Sequence, residues 1–137
     1  MSTIQAHADA GLTLLRADLQ LAVFDGKVDK GAPDHYVLVY TYRELPTGLA
    51  APDKVKLTGK STVVDMRFYC HCVGPTVMSA RGIAARVEDL LLDVIPIVAS
   101  RTCLPIRWIE GQPPARNEET LKSVFDQVDV YGFQSSG

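Results

Sequence analysis

Three cysteines, three histidines and a scatter of carboxylates hold whatever chemistry this 137-residue chain could perform. The sharpest constellation is Cys70-His71-Cys72, in the stretch FYCHCVGPTVMSARGIAARVEDLLLDV. Two thiolates and an imidazole this close could open a zinc or redox site. The common zinc motifs, however, space their cysteines Cys-x-x-Cys, so that a tight turn brings both sulfurs onto one ion. Here the spacing is Cys-x-Cys inside an extended run. Side chains alternate along a strand, so both thiols point to one face and His71 to the other. Cys103 could add a third ligand, and no fourth is evident. A disulfide between Cys70 and Cys72 would strain an extended backbone. Free cysteine packs as a small buried hydrophobe. The pattern therefore predicts core thiols that bind no metal.

The other candidates carry less. Gly59-Lys60-Ser61 matches the end of a phosphate-binding loop, but Lys54 stands where that loop needs a glycine, and a strand follows instead of a helix. Glu88, Asp89 and Asp93 form a carboxylate cluster on what reads as a wet helix face, partly balanced by Arg86. His7 and His35 have no nearby partners in sequence that would complete a triad. Trp108 alternates with Arg107 and Ile109 and reads as a core or interface residue. No Gly-x-Ser-x-Gly elbow, His-Glu-x-x-His helix or Gly-x-Gly-x-x-Gly turn occurs. No catalytic, cofactor-binding or metal residue emerges, and the expectation is a protein that is not an enzyme and needs no cofactor.

The elements that would position these residues follow from periodicity. Ile4, Ala8, Leu12, Leu15 and Leu19 recur at helical spacing, with Ser2 or Thr3 as cap and Gly11 as a weak point. LQLAVFDGKV alternates loosely and ends in the turn signal Asp25-Gly26. Tyr36 to Glu44, YVLVYTYRE, is rich in β-branched and aromatic residues and reads as a strand. Leu45 to Lys60 reads as a long loop or the tip of a hairpin. TVVDMRFYCHCV is the clearest strand. Val64, Met66, Phe68, Cys70 and Cys72 fall on an apolar face, and Asp65, Arg67, Tyr69 and His71 on a wet one. Thr76 caps a helix whose stripe is Ala80, Ile83, Ala84, Val87, Leu90, Leu91 and Val94, and Pro96 stops it. CLPIRWIEG reads as an edge strand with Pro105 near its start. GQPPARNEET reads as a loop, and FDQVDVYGF as the last strand. This order predicts a single α+β domain over residues 1–137: a mainly antiparallel sheet of four to five strands with two helices on one face.

Composition narrows the function classes. A formal charge of −2 leaves no basic field for gripping nucleic acid. The longest apolar run, Leu90 to Ala99, is broken by Asp93 and Pro96 and cannot span a bilayer. The start, MSTIQAHADAG, does not read as a secretion signal, so reduced thiols are expected.

The order of segments resembles the tail terminator (tail completion) proteins of long-tailed phages, especially phages of actinobacteria. The resemblance runs through the N-terminal helix, VFDGKV, HYVLVYTY, HCVGPTVMSARGIAARVEDLLL, RTCLPIRWIEG and VDVYGFQS, and covers nearly the whole chain. The join from strand through Gly74-Pro75-Thr76 into an alanine- and arginine-bearing helix is its most telling piece. The resemblance implies a homo-oligomeric ring, usually hexameric, at the head-proximal end of a tail in the virion, assembled in the host cytoplasm. Such a ring stops polymerisation of the tail tube protein and meets a head-closure or connector protein. Genomic DNA passes through without specific binding, no membrane is involved, and no catalytic residue is carried over. Other head–tail connectors and minor tail proteins share its length and composition. A small enzyme would instead show metal content or thiol reactivity tied to turnover. A small-molecule-binding module would show a closed apolar pocket in a monomer.

Overall fold

The structure is a computed structural model that describes residues 4–44, 63–116 and 124–137. The expectations for Ser2, Thr3, the Leu45–Lys60 segment and Gly59-Lys60-Ser61 lie outside the described residues. Among the described residues, two helices and seven strands follow in the order α1 (Ile4–Arg16), β1 (Val23–Asp25), β2 (Tyr36–Glu44), β3 (Val63–Gly74), α2 (Val77–Leu91), β4 (Thr102–Cys103), β5 (Arg107–Gly111), β6 (Ala115–Arg116) and β7 (Phe125–Ser136). The strands form one sheet in the order β1-β2-β3-β7-β4, with β5 and β6 also pairing with β7.

The α+β expectation holds, with two differences in the sheet. Among the described residues it has seven strands where four to five were expected, and it is mixed, because β1 runs parallel to β2 with Val23 opposite Val37. Asp25-Gly26 does turn the chain, with Gly26 at φ +72°. The turn does not close a hairpin. Residues 26–35 carry the chain back to the start of the pair, and Gly26 N–H extends the ladder to Val39 O at 2.9 Å. The single strand expected from CLPIRWIEG is split into β4 and β5 around Pro105, which has no N–H to give a ladder. Ile106 turns inward there, fully buried, and its N–H bonds Val94 O at 2.9 Å. The segment read as the loop GQPPARNEET carries the short strand β6, paired with Asp126 and Phe125.

One face of the sheet is the core. Val64, Met66, Phe68, Cys70 and Cys72 of β3 are all buried with Leu12 and Leu15 of α1 and Ile83, Ala84, Val87 and Leu91 of α2. Period two in the strand and period 3.6 in the helices place these side chains together, as the sequence predicted. Antiparallel register adds Tyr131 opposite Phe68 and Phe133 opposite Met66. Gly11 is where α1 crosses the sheet most closely. A Cβ there would lie 2.5 Å from Phe68 Cζ, so the residue that weakens the helix makes room for a core ring.

The helix ends also differ from the stripes. α1 stops at Arg16, and Leu19 is left exposed. Asp18 Oδ1 accepts the Gln20 N–H at 3.0 Å, the chain turns, and Leu21 packs into the core instead. Thr76 caps α2 as expected, in a reciprocal box with Ser79. The helix stops before Pro96 is reached. Asp93 adopts φ +64°, and its N–H bonds Ile106 O at 2.8 Å. Tertiary pairing with the β4–β5 segment ends α2, and the proline lies beyond that point.

Candidate interaction surfaces

Cys70 and Cys72 lie on the helix side of β3, fully buried, while His71 projects from the other face. Burial first, then nearby negative groups that include Asp129, pushes both thiols far above their ordinary range. A thiol held protonated in an apolar core is neither a nucleophile nor a ready metal ligand. Cys103 is also buried and free. Among the described residues no cluster of His, Cys, Asp or Glu is arranged to hold a metal ion, and no helix is long and apolar enough to cross a membrane.

Arg86 of α2 and Asp93 just beyond it take partners that sequence reasoning did not reach. Arg86, expected to balance its own helix, instead bonds Asp18 Oδ2 through Nε at 2.9 Å and Nη2 at 2.6 Å. That bond, with the Gln20 N–H, holds the Asp18 carboxyl below its ordinary value. Asp93 pairs with Arg107. His7, which has no local partner in sequence, meets Ser135 at 2.9 Å across the fold. Arg101 Nε donates to the same Ser135 oxygen. A serine beside a histidine invites a catalytic reading, but both side chains are buried. The pair ties α1 to the end of β7.

The face of the sheet away from the helices is the larger candidate surface. Tyr40 and Tyr42 of β2, Arg67, Tyr69 and His71 of β3, and Val128 and Val130 of β7 share it by register. His71 is its hub. Its Nδ1 lies 2.7 Å from Asp126 Oδ2, and its ring lies 5.8 Å from Tyr40 and 5.0 Å from Tyr69. Arg67 Nε lies 3.3 Å from Glu44. The expectation of a wet face needs correcting. Asp65 is only 5% exposed, Arg67 and Tyr69 are half-buried, and Val128 and Val130 are buried. Arg67 lies flat across β7 because Gly132 opposite it has no Cβ, which would stand 2.5 Å from Nη1. Leu104, Pro105 and Arg107 wall a cleft beside Asp65 and Arg67. The result is a packed aromatic and apolar surface with Tyr40, 43% exposed, as its most prominent ring. Aromatic and arginine side chains on such a surface are common interface anchors.

A second surface lies at the β5 edge. Trp108 is 51% exposed, and its Nε1 donates to Asp129 Oδ1 at 3.2 Å. Gln127 Nε2 donates to the other oxygen at 3.1 Å. Asp129 is itself only 7% exposed. Sequence reasoning placed Trp108 in a core or interface and missed its carboxylate, which is 21 residues away.

No protein-family model and no curated protein sequence matches the chain. Solved structures do share its fold. A chain in the virion of a native gene transfer agent particle aligns with a TM-score of 0.66 at 20% identity, over 94% of this chain and 93% of that one. A second solved structure aligns with a TM-score of 0.56 at 14% identity, over 90% of this chain and 94% of its own. At these identities the likeness is one of fold, and it runs nearly end to end in both cases.

Proposed function

We propose that this chain is a structural virion protein that forms a ring at the head-proximal end of a phage-type tail, ends tail-tube polymerisation there and joins tail to head. The observation that carries the reading is the fold shared along almost all of both chains with a component of a gene transfer agent virion. The segment order HCVGPTVMSARGIAARVEDLLL to VDVYGFQS, similar to tail terminators, narrows it to the tail end. A subunit that caps a tube binds its neighbours head to tail, and rotational closure keeps that contact from growing into a filament. The outer sheet face around Tyr40, Tyr69 and His71 and the Trp108 edge are two different surfaces, as a heterologous contact requires. The partners are further copies in a ring, usually six, with the tail tube protein on one side and a head-closure or connector protein on the other. DNA passes through the opening, and a net charge of −2 suits passage without grip. The reading assigns no reaction, cofactor or membrane. Its runner-up is another neck protein, a head-closure or minor tail protein, which the same fold also suits.

Deleting the gene tests the assignment directly. Electron microscopy of the lysate should show filled heads separate from tails of abnormal length, and the purified chain should restore joining as closed rings on tail ends. Tails of normal length that fail to join would move the chain to the head-closure role. Normal tails joined to heads would reject both.

A further inference from the structure

Between α2 and the β5–β7 edge lies an open cleft of about 280 Å³. Its floor is Asp129 and Tyr131, its outer wall is Trp108, and Ala84 and Ala85 of α2 form the wall opposite. Three features build it. The register between β5 and β7 slips between Trp108 and Glu110, leaving Ile109 as a bulge, and bulges re-aim the side chains beside them. Gly111 leaves the space that Trp108 and Asp129 occupy, since a Cβ there would lie 2.4 Å from Asp129 Oδ1 and 3.0 Å from Trp108 Cζ2. The indole N–H then fixes the carboxylate, so the ring stands at the cleft wall.

The charge of this cleft is incomplete. Asp129 is buried, and both its hydrogen-bond donors, Trp108 and Gln127, are neutral. None of the ion pairs among the described residues includes it. Buried carboxylates are ordinarily paired with a cation. Glu88 lines the same cleft and adds a second negative charge. The Asp129 charge reaches its surroundings: after burial it is the next cause that raises Tyr131 above the ordinary tyrosine range. Arg81 stands at the rim and forms no ion pair with a described residue. A slot with an indole on one side, two alanines on the other and a carboxylate at its base fits a flat cation. Guanidinium is planar, stacks on indole and bonds carboxylate through several N–H groups.

We infer that this cleft is a receptor for an arginine side chain presented by a partner protein, with Trp108 stacking on the guanidinium and Asp129 taking its charge. The inference stands whichever neck position the protein occupies. It predicts a recognition residue that none of the ion pairs among the described residues supplies and that the cleft is built to receive.

Trp108 is the single tryptophan of the chain, so its fluorescence reports the cleft alone. The probe is N-acetyl-arginine amide titrated into the purified full-length chain at low salt, with N-acetyl-glutamine amide and N-acetyl-glutamate amide as comparisons. The arginine amide should change the Trp108 emission saturably, and the two comparison amides should not. Asp129→Asn keeps an Oδ1 acceptor for the indole and removes the charge. It should weaken the arginine amide by about tenfold or more, the loss expected when one charged partner worth about 1.4 kcal/mol is removed. An unchanged Trp108 emission maximum in the free variant shows that the cleft is intact. Arg81→Ala should bind the probe as well as or better than the parent. The inference is overturned by no saturable response to arginine amide, by an affinity that ignores Asp129→Asn, or by tighter binding of the glutamate amide. Binding that arises only in Arg81→Ala also overturns it, because Arg81 would then be the occupant.

Discussion

Gly11→Ala and Gly82→Ala make the same chemical change in the two helices and should move stability in opposite directions. Replacing a helical glycine by alanine gains about 0.8–1 kcal/mol of helix propensity. At Gly82, on the exposed side of α2, an added Cβ meets nothing within 4 Å, so that gain should appear nearly whole. At Gly11 the Cβ would lie 2.5, 2.6 and 3.1 Å from three carbons of the Phe68 ring. Carbon atoms pack at about 3.5–4.0 Å, so ring or helix must give by about 1 Å. The ring has little room, because Phe68 is fully buried with the Phe133 centroid 5.6 Å away. Overpacking of this kind costs about 1–3 kcal/mol, and an overlap this deep belongs in the upper half of that range. The net expectation is destabilisation of about 1–2 kcal/mol for Gly11→Ala, or a melting temperature roughly 4–8 °C lower in a chain of this size. Urea denaturation followed by circular dichroism reads both variants against the parent, with an unchanged slope as the control for two-state behaviour. A Gly11→Ala midpoint equal to or above the parent would refute the close crossing of α1 over Phe68. A destabilised Gly82→Ala would refute the open face of α2.

Two further predictions concern the core. Leu91→Asp should cost about 4 kcal/mol or more, close to the whole stability of a domain, because it places an unpaired carboxylate among buried side chains; Glu88→Ala, on an exposed position, should melt within about 1 kcal/mol of the parent. Near-native melting of Leu91→Asp would mean that α2 does not bury that stripe. Cys70 and Cys72 should resist a thiol-specific disulfide reagent until the protein unfolds. Their folded pKa values are raised, so the stability they contribute is complete below the unfolded thiol pKa of about 8.5 and is lost as pH rises above it. The urea midpoint should therefore fall between about pH 8.5 and 9.5, and fall less steeply in Cys70→Ala/Cys72→Ala. A parent midpoint that stays flat over that range would contradict the burial of these thiols.

What the sequence revealed, and what it hid, divides by the range of the interaction that decides it. The strand Tyr36–Glu44 was read at its observed bounds, and Val63–Gly74 to within a residue, because alternation is a local signal. Thr76 was found as a cap because its residue type and the helical stripe right after it are local signals, and its partner Ser79 is three residues away. The parallel placement of β1 was hidden, since a three-residue strand carries no period and its Asp-Gly turn fits a hairpin equally well. The end of α2 was misplaced for a related reason. Pro96 is a visible stop, but the chain obeys an earlier one, in which the Asp93 and Ile106 N–H groups are taken by Ile106 and Val94 carbonyls. Buried N–H groups must find partners, and nothing in the sequence says which.

The candidate surfaces follow the same rule with a sharper consequence. Alternation alone put Arg67, Tyr69 and His71 on the face away from the helices, which is where they are. It could not show that this face is packed. Arg67 lies flat only because Gly132 is opposite it, and His71 is fixed by Asp126, 55 residues later in the chain. The Trp108 cleft depends on still more distant agreement. A bulge at Ile109, a glycine at 111 and a carboxylate on another strand must coincide before a half-exposed indole has a fixed direction. Each of these residues has an ordinary reading taken alone: a strand tryptophan, a turn glycine, a surface aspartate. Their coincidence puts a carboxylate under an aromatic wall with only neutral donors beside it. A fold that needed Trp108 only as core filler would bury it more deeply than 51% exposure allows, and would not hold its N–H on a buried acid. The arrangement is better suited to contact with another chain than to the stability of this one. For that reason Trp108→Phe should weaken partner binding strongly, beyond the about 1–3 kcal/mol of folding stability that Asp129 loses with its indole donor, and unchanged partner binding in a destabilised variant would return the residue to a structural role.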